Sequence, residues 1–271
     1  MQLKACAILC ILLVLLPVIG DCYERDPVFS PHSPEDPMQS TLIAANAGEL
    51  TTEGDILVRS NGIREVFGVA GRNIRVGVIG NGVESLNLSR HTGELSDVVV
   101  LSPGTGDEGT AMMEIIHDIA PEADLVFHAY GNSSDTFKQA VTALAENGCN
   151  VICDDLYFFR QPFFEDGDVA DHIRKTLGQY PGLIYVTVSG NFAPLHYQGS
   201  WRGANRTPDG STLHDFGGGD NAINITLLPD EYIIATLQWD DPWGLSFTDY
   251  DMVLTSSVSG TVLATSTNIQ N

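Results

Sequence analysis

Short apolar runs recur along the middle of the chain, and most of them are separated by enough residues for a helix. Five of these runs have the length of buried strands. They read IRVGVI, DVVVL, DLVFHAY, NVICDD and LIYVTVS, and they start at positions 74, 97, 124, 150 and 183. Because buried strands that alternate with helices form parallel sheets covered on both faces, the pattern predicts a doubly wound α/β fold.

Helical periodicity supports this fold class. Residues 108–119 place four apolar side chains on one face, namely Met112, Ile115, Ile116 and Ile119. That pattern stops before Pro121, and a second helix predicted over 135–147 stops at Gly148. A shorter helix is predicted over 53–67, ahead of the first strand.

From about residue 205 the chain changes to strand-like runs separated by turn residues, without helical periodicity. These runs read NAINITLL, EYIIATLQW, DYDMVL and GTVLATST. The pattern is typical of a β-sandwich, although four runs fall short of the roughly seven strands that close one. We therefore predict an α/β domain over 53–204 and a partial all-β sandwich module over 205–271. A linker rich in Pro, Ser and Asp over 21–52 precedes them.

The first twenty residues are typical of a secretory signal peptide. Lys4 supplies one positive charge, and residues 5–20 are almost wholly apolar. A signal that stays uncleaved as an anchor is the alternative, and no later stretch is long and apolar enough to span a bilayer. We therefore expect a secreted or cell-surface protein with no membrane span after signal removal.

The charge balance narrows the set of partners. The formal net charge is −22, from 35 acidic side chains against 13 Lys and Arg. Such a surface repels nucleic acid and anionic lipid head groups, so neither is an expected partner.

The stretch IRVGVIGNGVES allows two interpretations. A strand that leads into Gly80-x-Gly82 is the start of a dinucleotide-binding turn, although Ser85 stands where that motif has its third glycine. Glu94 and Asp97 lie near the distance at which such folds carry a ribose-binding acid. The alternative is the first catalytic strand of a secreted hydrolase.

Three short blocks resemble those of the subtilisin-like serine peptidases (subtilases), with features of their sedolisin relatives. VGVIGNGVE is similar to the strand and turn that bear the family's catalytic Asp. DEGTAMMEIIHDIAPEADL is similar to the helix that begins with His-Gly-Thr and runs into an Ala-Pro-x-Ala turn. YVTVSGN is similar to the strand that ends in the oxyanion-hole Asn. The match covers about residues 50–200. It implies a subtilisin-like sheet, a peptide or protein substrate and hydrolysis through a serine acyl-enzyme.

The resemblance assigns roles to individual residues. Asn191 matches the side chain that stabilises the oxyanion, with Gly190 beside it in the substrate cleft. Asn81 stands where the family has its Asp, and it accepts a hydrogen bond without stabilising a charged partner as a carboxylate does. Glu108 stands at the position of the catalytic His, where sedolisins have a Glu. The sedolisin Asp one turn later is Met112 here.

Two adjacent carboxylates end the fourth predicted strand. Asp154 and Asp155 therefore fall at the carboxyl edge of a parallel sheet, where α/β proteins bind ligands. As a general base Glu108 would need a raised pKa, from burial or from Asp155 nearby. The alternative is that Glu108, which follows Asp107, only stabilises the start of its helix.

The family's Gly-Thr-Ser segment, which carries the nucleophile, is absent from residues 1–271. Two hypotheses follow. Either this is a truncated serine endopeptidase, with Glu108 and Asp155 in place of the usual pair, or it is a non-catalytic relative that binds peptides or envelope partners. A nicotinamide enzyme is a distant third, and no organic cofactor is expected.

A calcium site is also predicted, in the acidic run of the β region. Four aspartates there could share the ion, because Ca²⁺ prefers hard oxygen ligands. They are Asp240, Asp241, Asp249 and Asp251. Ordinary acidic turns are the alternative.

We predict that residues 1 to about 20 are removed or embedded in a membrane and that the remainder lies outside the cytoplasm, because the positively charged start and apolar core direct export. Cell fractionation with N-terminal sequencing tests this. Recovery of the chain from the soluble cytosolic fraction with Lys4 intact would contradict it.

Overall fold

The computed structural model describes residues 8–17, 48, 50–192, 195–208 and 210–269. Contacts divide the chain into two units. One comprises 168–189 and the described part of Pro31–Phe158, and the other comprises Phe159–Gly167 with the described parts of Met1–Ser30 and Gly190–Asn271. Most of the predicted linker lies outside the described residues, as do both ends of the predicted signal peptide.

Strands and helices are numbered along the chain. The strands are β1 (Ile8–Pro17), β2 (Arg75–Gly80), β3 (Val98–Ser102), β4 (Asp124–Ala129), β5 (Val151–Asp154), β6 (Ile184–Val186), β7 (His196–Ser200), β8 (Gly203–Arg206), β9 (Thr212–His214), β10 (Glu231–Trp239), β11 (Met252–Thr255) and β12 (Val262–Ser266). The helices are α1 (Glu53–Leu57), α2 (Ser60–Phe67), α3 (Leu86–Thr92), α4 (Glu108–Ile119), α5 (Ser134–Glu146) and α6 (Asp168–Gln179).

The first unit is built on a five-stranded sheet in the order β3-β4-β2-β5-β6. All four strand pairs are parallel. Each strand overlaps one of the five apolar runs, with β2 and β3 each ending one residue beyond its run, and α3 to α6 fall between the strands. The α/β prediction is confirmed, because parallel strands alternate with helices along this part of the chain.

Helices cover the two faces of the sheet in pairs. Leu86 of α3 and Met113 of α4 pack in one cluster with Val76 and Val78 of β2, and we call this side the α4 face. Side chains of α5 and α6 pack on the opposite side with Ile79, which we call the α5 face. Successive strand residues alternate between these faces, as a pleated strand requires.

The connection through α4 differs in hand from the other three. The chain crosses the sheet in one direction from β2 to β3 and in the opposite direction from β3 onward. The connections through α3 and α4 lie on the same face of the sheet but run across it in opposite directions. These two crossovers therefore have opposite hands. About 98% of such crossovers are right-handed, so the left-handed one is β3–α4–β4.

Three glycines allow α4 to approach the end of β2. A Cβ atom on Gly80 would lie 3.3 Å from the backbone of Gly109, and one on Gly109 would lie 2.2 Å from the ring of Phe127. A Cβ on Gly82 would meet the backbone of the 105–106 loop at 2.5 Å. The first residue of α4 is thereby held beside the carboxyl edge of the sheet.

The structure corrects two details of the helix predictions. The predicted helix over 53–67 is divided into α1 and α2 at Arg59, whose φ of 61° lies in the left-handed region. In α4 the buried side includes Met113 and His117, whereas Ile115 is exposed. Burial lowers the pKa of His117, and its Nδ1 has no hydrogen-bond partner among the described residues.

The second unit consists of small antiparallel sheets. β1 lies between β10 and β7, β8 pairs with β9, and β11 pairs with β12. Part of the predicted signal peptide thus forms a strand in this chain, and its processing stays a prediction. Three of the four predicted runs contain strands, but NAINITLL contains none. Among the described residues, no helix has the length and apolar character needed to cross a membrane.

We predict that Gly109→Ala lowers the free energy of unfolding by about 2 kcal/mol, because the added methyl overpacks against Phe127. Gly62→Ala in α2 is the matched control. Its methyl group meets nothing within 4 Å, so helix propensity alone should stabilise the protein by up to about 1 kcal/mol. Urea unfolding of both variants measures this. Equal midpoints for the two would contradict the close approach of α4.

Candidate functional site

Three polar side chains meet at the carboxyl edge of the sheet in the first unit. Asn81 follows β2 directly, Asp155 follows β5, and Glu108 is the first residue of α4. β2 and β5 are neighbours in the sheet. Along a strand, every second side chain points to the same face of the sheet. Val151 and Cys153 pack on the α4 face, so the side chain of Asp155, two residues after Cys153, lies on that face as well.

Glu108 and Asp155 form a carboxyl pair. The hydrogen bond to Asp155, the partial burial of the carboxyl group and the charge of Asp155 raise the pKa of Glu108 to about 7. Glu108 still presents an exposed surface, so this pair is open to a ligand. The shift follows from proximity, since two adjacent carboxylates resist simultaneous ionisation.

One buried oxygen of Asp155 lacks a hydrogen-bond donor among the described residues. Oδ1 of Asp155 is buried and accepts no hydrogen bond from any N–H or O–H group of the described residues. Such an oxygen is costly to desolvate unless a donor reaches it. The hydrogen bond between Glu108 and Asp155 needs a proton on one of the two carboxyl groups. With that proton the pair can both donate and accept hydrogen bonds.

Asn81 positions Glu108. Its Oδ1 accepts a 3.0 Å hydrogen bond from the Glu108 N–H, and its main-chain oxygen accepts one of 3.0 Å from the Thr105 N–H. The first of these satisfies a free N–H at the start of α4. The Asn81 side chain therefore acts on the helix, and a direct part in catalysis stays a prediction.

Asp107 also holds the start of α4 in place. Its Oδ1 accepts a 2.8 Å hydrogen bond from the Ser85 N–H at the start of α3. Burial opposes ionisation of this carboxyl group, but the hydrogen bonds from Ser85 outweigh burial and lower its pKa. Asp107 and Glu108 are thus adjacent carboxyl groups whose pKa values move in opposite directions.

Asp154 has a different environment from its neighbour Asp155. It is 5% exposed and accepts hydrogen bonds from the Tyr185 hydroxyl at 2.6 Å, the Thr187 hydroxyl at 3.1 Å and the Leu156 N–H at 3.0 Å. Burial raises its pKa, and these hydrogen bonds oppose the rise. Burial and the nearby Asp154 also raise the pKa of Tyr185. Asp154 therefore anchors the end of β5 to β6, and a contact with substrate stays a prediction.

The glycine turn after β2 has no room for a pyrophosphate. The N–H groups of Val83 and Glu84 donate to the main-chain oxygens of Pro103 and Gly106, and the space above Gly82 is filled by the 105–106 backbone. A dinucleotide turn needs these N–H groups and this space for its ligand. The glycines at positions 80 and 82 are explained by the approach of α4 and the 103–106 loop.

Gly190 and Asn191 belong to the second unit. Gly190 has a φ of 77° and lies against the ring of Phe192, while Asn191 is exposed. The predicted oxyanion role of Asn191 and the cleft position of Gly190 stay predictions.

The predicted calcium ligands do not form a ligand cluster. Among the described residues, no group of three or more His, Cys, Asp or Glu side chains is placed to hold a metal ion. Oδ2 of Asp241 accepts hydrogen bonds from the Ser246 hydroxyl, the Trp239 indole and the N–H groups of Phe247 and Thr248. Asp241 thus closes a turn, which was the alternative. Calcium binding by Asp240, Asp241, Asp249 and Asp251 stays a prediction without support from this geometry.

Sequence reasoning missed the residues that hold the site together. Tyr185 and Thr187 fix Asp154, and Asp107 joins α3 to α4. The alternation in YVTVSGN contained a signal for the first two, because every second residue of a strand shares a face. For Asp107 the position at a helix start was visible, but its partner 22 residues away was not.

Comparisons with known proteins give little guidance. No protein-family model and no curated protein matches this chain. Among solved structures, one similar chain is titled "Crystal Structure of a Lanthipeptide Protease". It is 15% identical, with a TM-score of 0.37, and the match covers 52% of this chain and 49% of that one. The present chain therefore matches about half the length of that protein.

We predict that Asp155→Asn lowers the pKa of Glu108 from about 7 toward its ordinary range, because the Asn amide donates to the ionised Glu108. The raised pKa means that the pair costs stability as pH rises from about 4.5 to about 7. The variant should lose less stability over that interval. Carboxyl ¹³C NMR titration and urea unfolding at pH 5 and 8 measure both effects. Asp97→Asn, at an exposed carboxylate, is the control, and an unchanged Glu108 pKa in Asp155→Asn would contradict the pairing.

Proposed function

We propose that this protein is a secreted relative of the subtilisin-like peptidases and that residues 1–271 bind peptide without hydrolysing it. The carboxyl pair of Glu108 and Asp155 carries the proposal. It lies at the carboxyl edge of a parallel sheet, where open α/β folds bind their ligands. The three blocks VGVIGNGVE, DEGTAMMEIIHDIAPEADL and YVTVSGN give the family resemblance.

The pair suits a peptide backbone. Protonated Glu108 donates to a carbonyl oxygen, and the carboxyl group of Asp155 accepts an N–H group or pairs with a cation. The hydrogen bond from the Glu108 N–H to Asn81 fixes the helix start, and the bonds to Asp154 fix the strand end. The two carboxyl groups are thus attached to rigid elements, which reduces the conformational entropy lost on binding.

Hydrolysis through an acyl-enzyme needs a nucleophile beside a base. Residues 1–271 carry no Gly-Thr-Ser segment of the family type. Stabilisation of an oxyanion by Asn191 has no acyl intermediate to act on without that serine. We therefore assign binding, and not turnover, to this chain.

A serine endopeptidase is the second candidate, and the Glu108 pKa of about 7 favours it. A general base is most effective when its pKa lies near the working pH. In that case Glu108 takes the proton of a serine hydroxyl, and Asp155 tunes its basicity. A subtilase-like serine would have to be supplied from outside the sequence given.

We predict that the chain shows no turnover of casein or fluorogenic peptides and no labelling by a serine-directed phosphonate, because it lacks the acylated residue. It should bind casein-derived peptides in fluorescence anisotropy. Glu108→Gln should weaken that binding by up to about tenfold, since the amide cannot share a proton with Asp155 and a neutral hydrogen bond contributes about 0.5–1.5 kcal/mol.

Glu65→Gln, at an exposed carboxylate of α2, is the matched control and should bind like the wild-type chain. Turnover that is abolished by mutation of one serine would establish the endopeptidase instead. An absence of binding to every peptide tested would overturn both candidates.

A further inference from the structure

The outer edge of β6 is open for strand pairing. β6 is the last strand of the sheet, and no described strand pairs with its outer side. The Ile184 N–H donates to the main-chain oxygen of Asn150, so the main chain of Ile184 faces β5. In a parallel pair the next residue directs its N–H and C=O the other way. The main-chain groups of Tyr185 therefore face outward, as a strand-binding edge requires.

An exposed apolar row runs along the same strand. Ile184, Val186 and Val188 are 57%, 49% and 42% exposed. Tyr185 and Thr187 turn to the α5 face, where both bind Asp154. The three aliphatic side chains consequently lie on the α4 face, beyond the part of the sheet that α3 and α4 cover.

The row ends at the carboxyl pair. Cys153 pairs with Val186 in the register of β5 and β6. Both strands end near these two residues, but the Thr187 hydroxyl still binds Asp154, which keeps the two segments together past the strand ends. Asp155 and Val188 each follow two residues beyond this register pair, so the apolar row leads toward Asp155 and toward Glu108 beside it. An extended ligand on β6 would therefore meet aliphatic side chains first and a negative charge at the end.

We propose that β6 binds an extended basic peptide as an added strand, with alternate apolar side chains on Val186 and Val188 and a Lys or Arg at the carboxyl pair. This proposal rests on the proposed peptide-binding function and adds its substrate class. Main-chain pairing supplies affinity in this mode, and alternate side chains supply specificity.

Charge favours a basic peptide over other occupants. With a net charge of −22, the chain attracts cationic segments over a distance and increases their rate of encounter. A second copy of this chain would bring the same −22 to the edge, and a nucleic acid would bring its phosphates. Both are repelled, whereas a Lys or Arg at the carboxyl pair is attracted.

The test uses three fluorescein-labelled probes with the full chain. They are Val-Lys-Val-Arg-Val, the same peptide N-methylated at alternate residues, and Val-Glu-Val-Glu-Val. We expect the first to bind, the second to bind at least tenfold more weakly because its ladder N–H groups are blocked, and the third not to bind. Raised salt should weaken the first.

Val186→Lys is the informative variant, and Val99→Lys is its matched control. Val99 is 48% exposed on β3, the opposite edge of the sheet. We expect at least a tenfold loss of affinity in Val186→Lys and wild-type affinity in Val99→Lys, with circular dichroism as the check on folding. The N-methylated probe tests the wild-type chain and needs no variant to fold.

Two other outcomes overturn the strand-addition proposal. If N-methylation and Val186→Lys leave binding unchanged while Glu108→Gln weakens it, peptide binds at the pair without β6, and the proposed function stands alone. If sedimentation shows a dimer that Val186→Lys dissociates, a second copy occupies the edge. Failure of every probe to bind overturns the proposed function as well.

Discussion

The close approach of α4 to the end of β2 is the contact on which the site depends. Gly80 and Gly109 present no side chains to each other, and the Gly109 N–H donates a 3.0 Å hydrogen bond to the main-chain oxygen of Gly82. Any larger residue at position 109 would displace the helix from Phe127. Because the helix starts here, its first residue lies over the neighbouring strand and meets Asp155. The left-handed connection through α4 places the helix on the face toward which Asp155 points.

The carboxylates around this contact have distinct tasks because their partners differ. Asp107 and Asp154 receive N–H and O–H donors and hold elements together. Asp155 has a buried oxygen without such a donor, and Glu108 has the raised pKa that follows from its proximity. Asp107 and Asp154 thus stabilise the fold, whereas the residues that follow them, Glu108 and Asp155, form the carboxyl pair.

The strands of the α/β unit could be predicted because the apolar runs are shorter than most helices and rich in β-branched residues. The bounds of α4 were predicted correctly from its acidic start and from Pro121. Its buried side was not, since Met113 and His117 are buried by a long-range approach that local periodicity does not encode. For Glu108 the sequence supplied only a condition, namely that a general base there needs a pKa raised by burial or by Asp155, and both causes contribute to its pKa of about 7. The anchoring of Asp154 was missed because its partners lie 31 and 33 residues away.

The raised pKa of Glu108 means that a cationic ligand bound at the pair, as proposed, would couple to the proton on this carboxyl group. A cation placed at the pair stabilises the doubly ionised form, so occupancy expels that proton into the solvent. Heat measured by calorimetry should then depend on the ionisation enthalpy of the buffer. Affinity for a cationic ligand should also rise as the medium becomes more alkaline through neutrality.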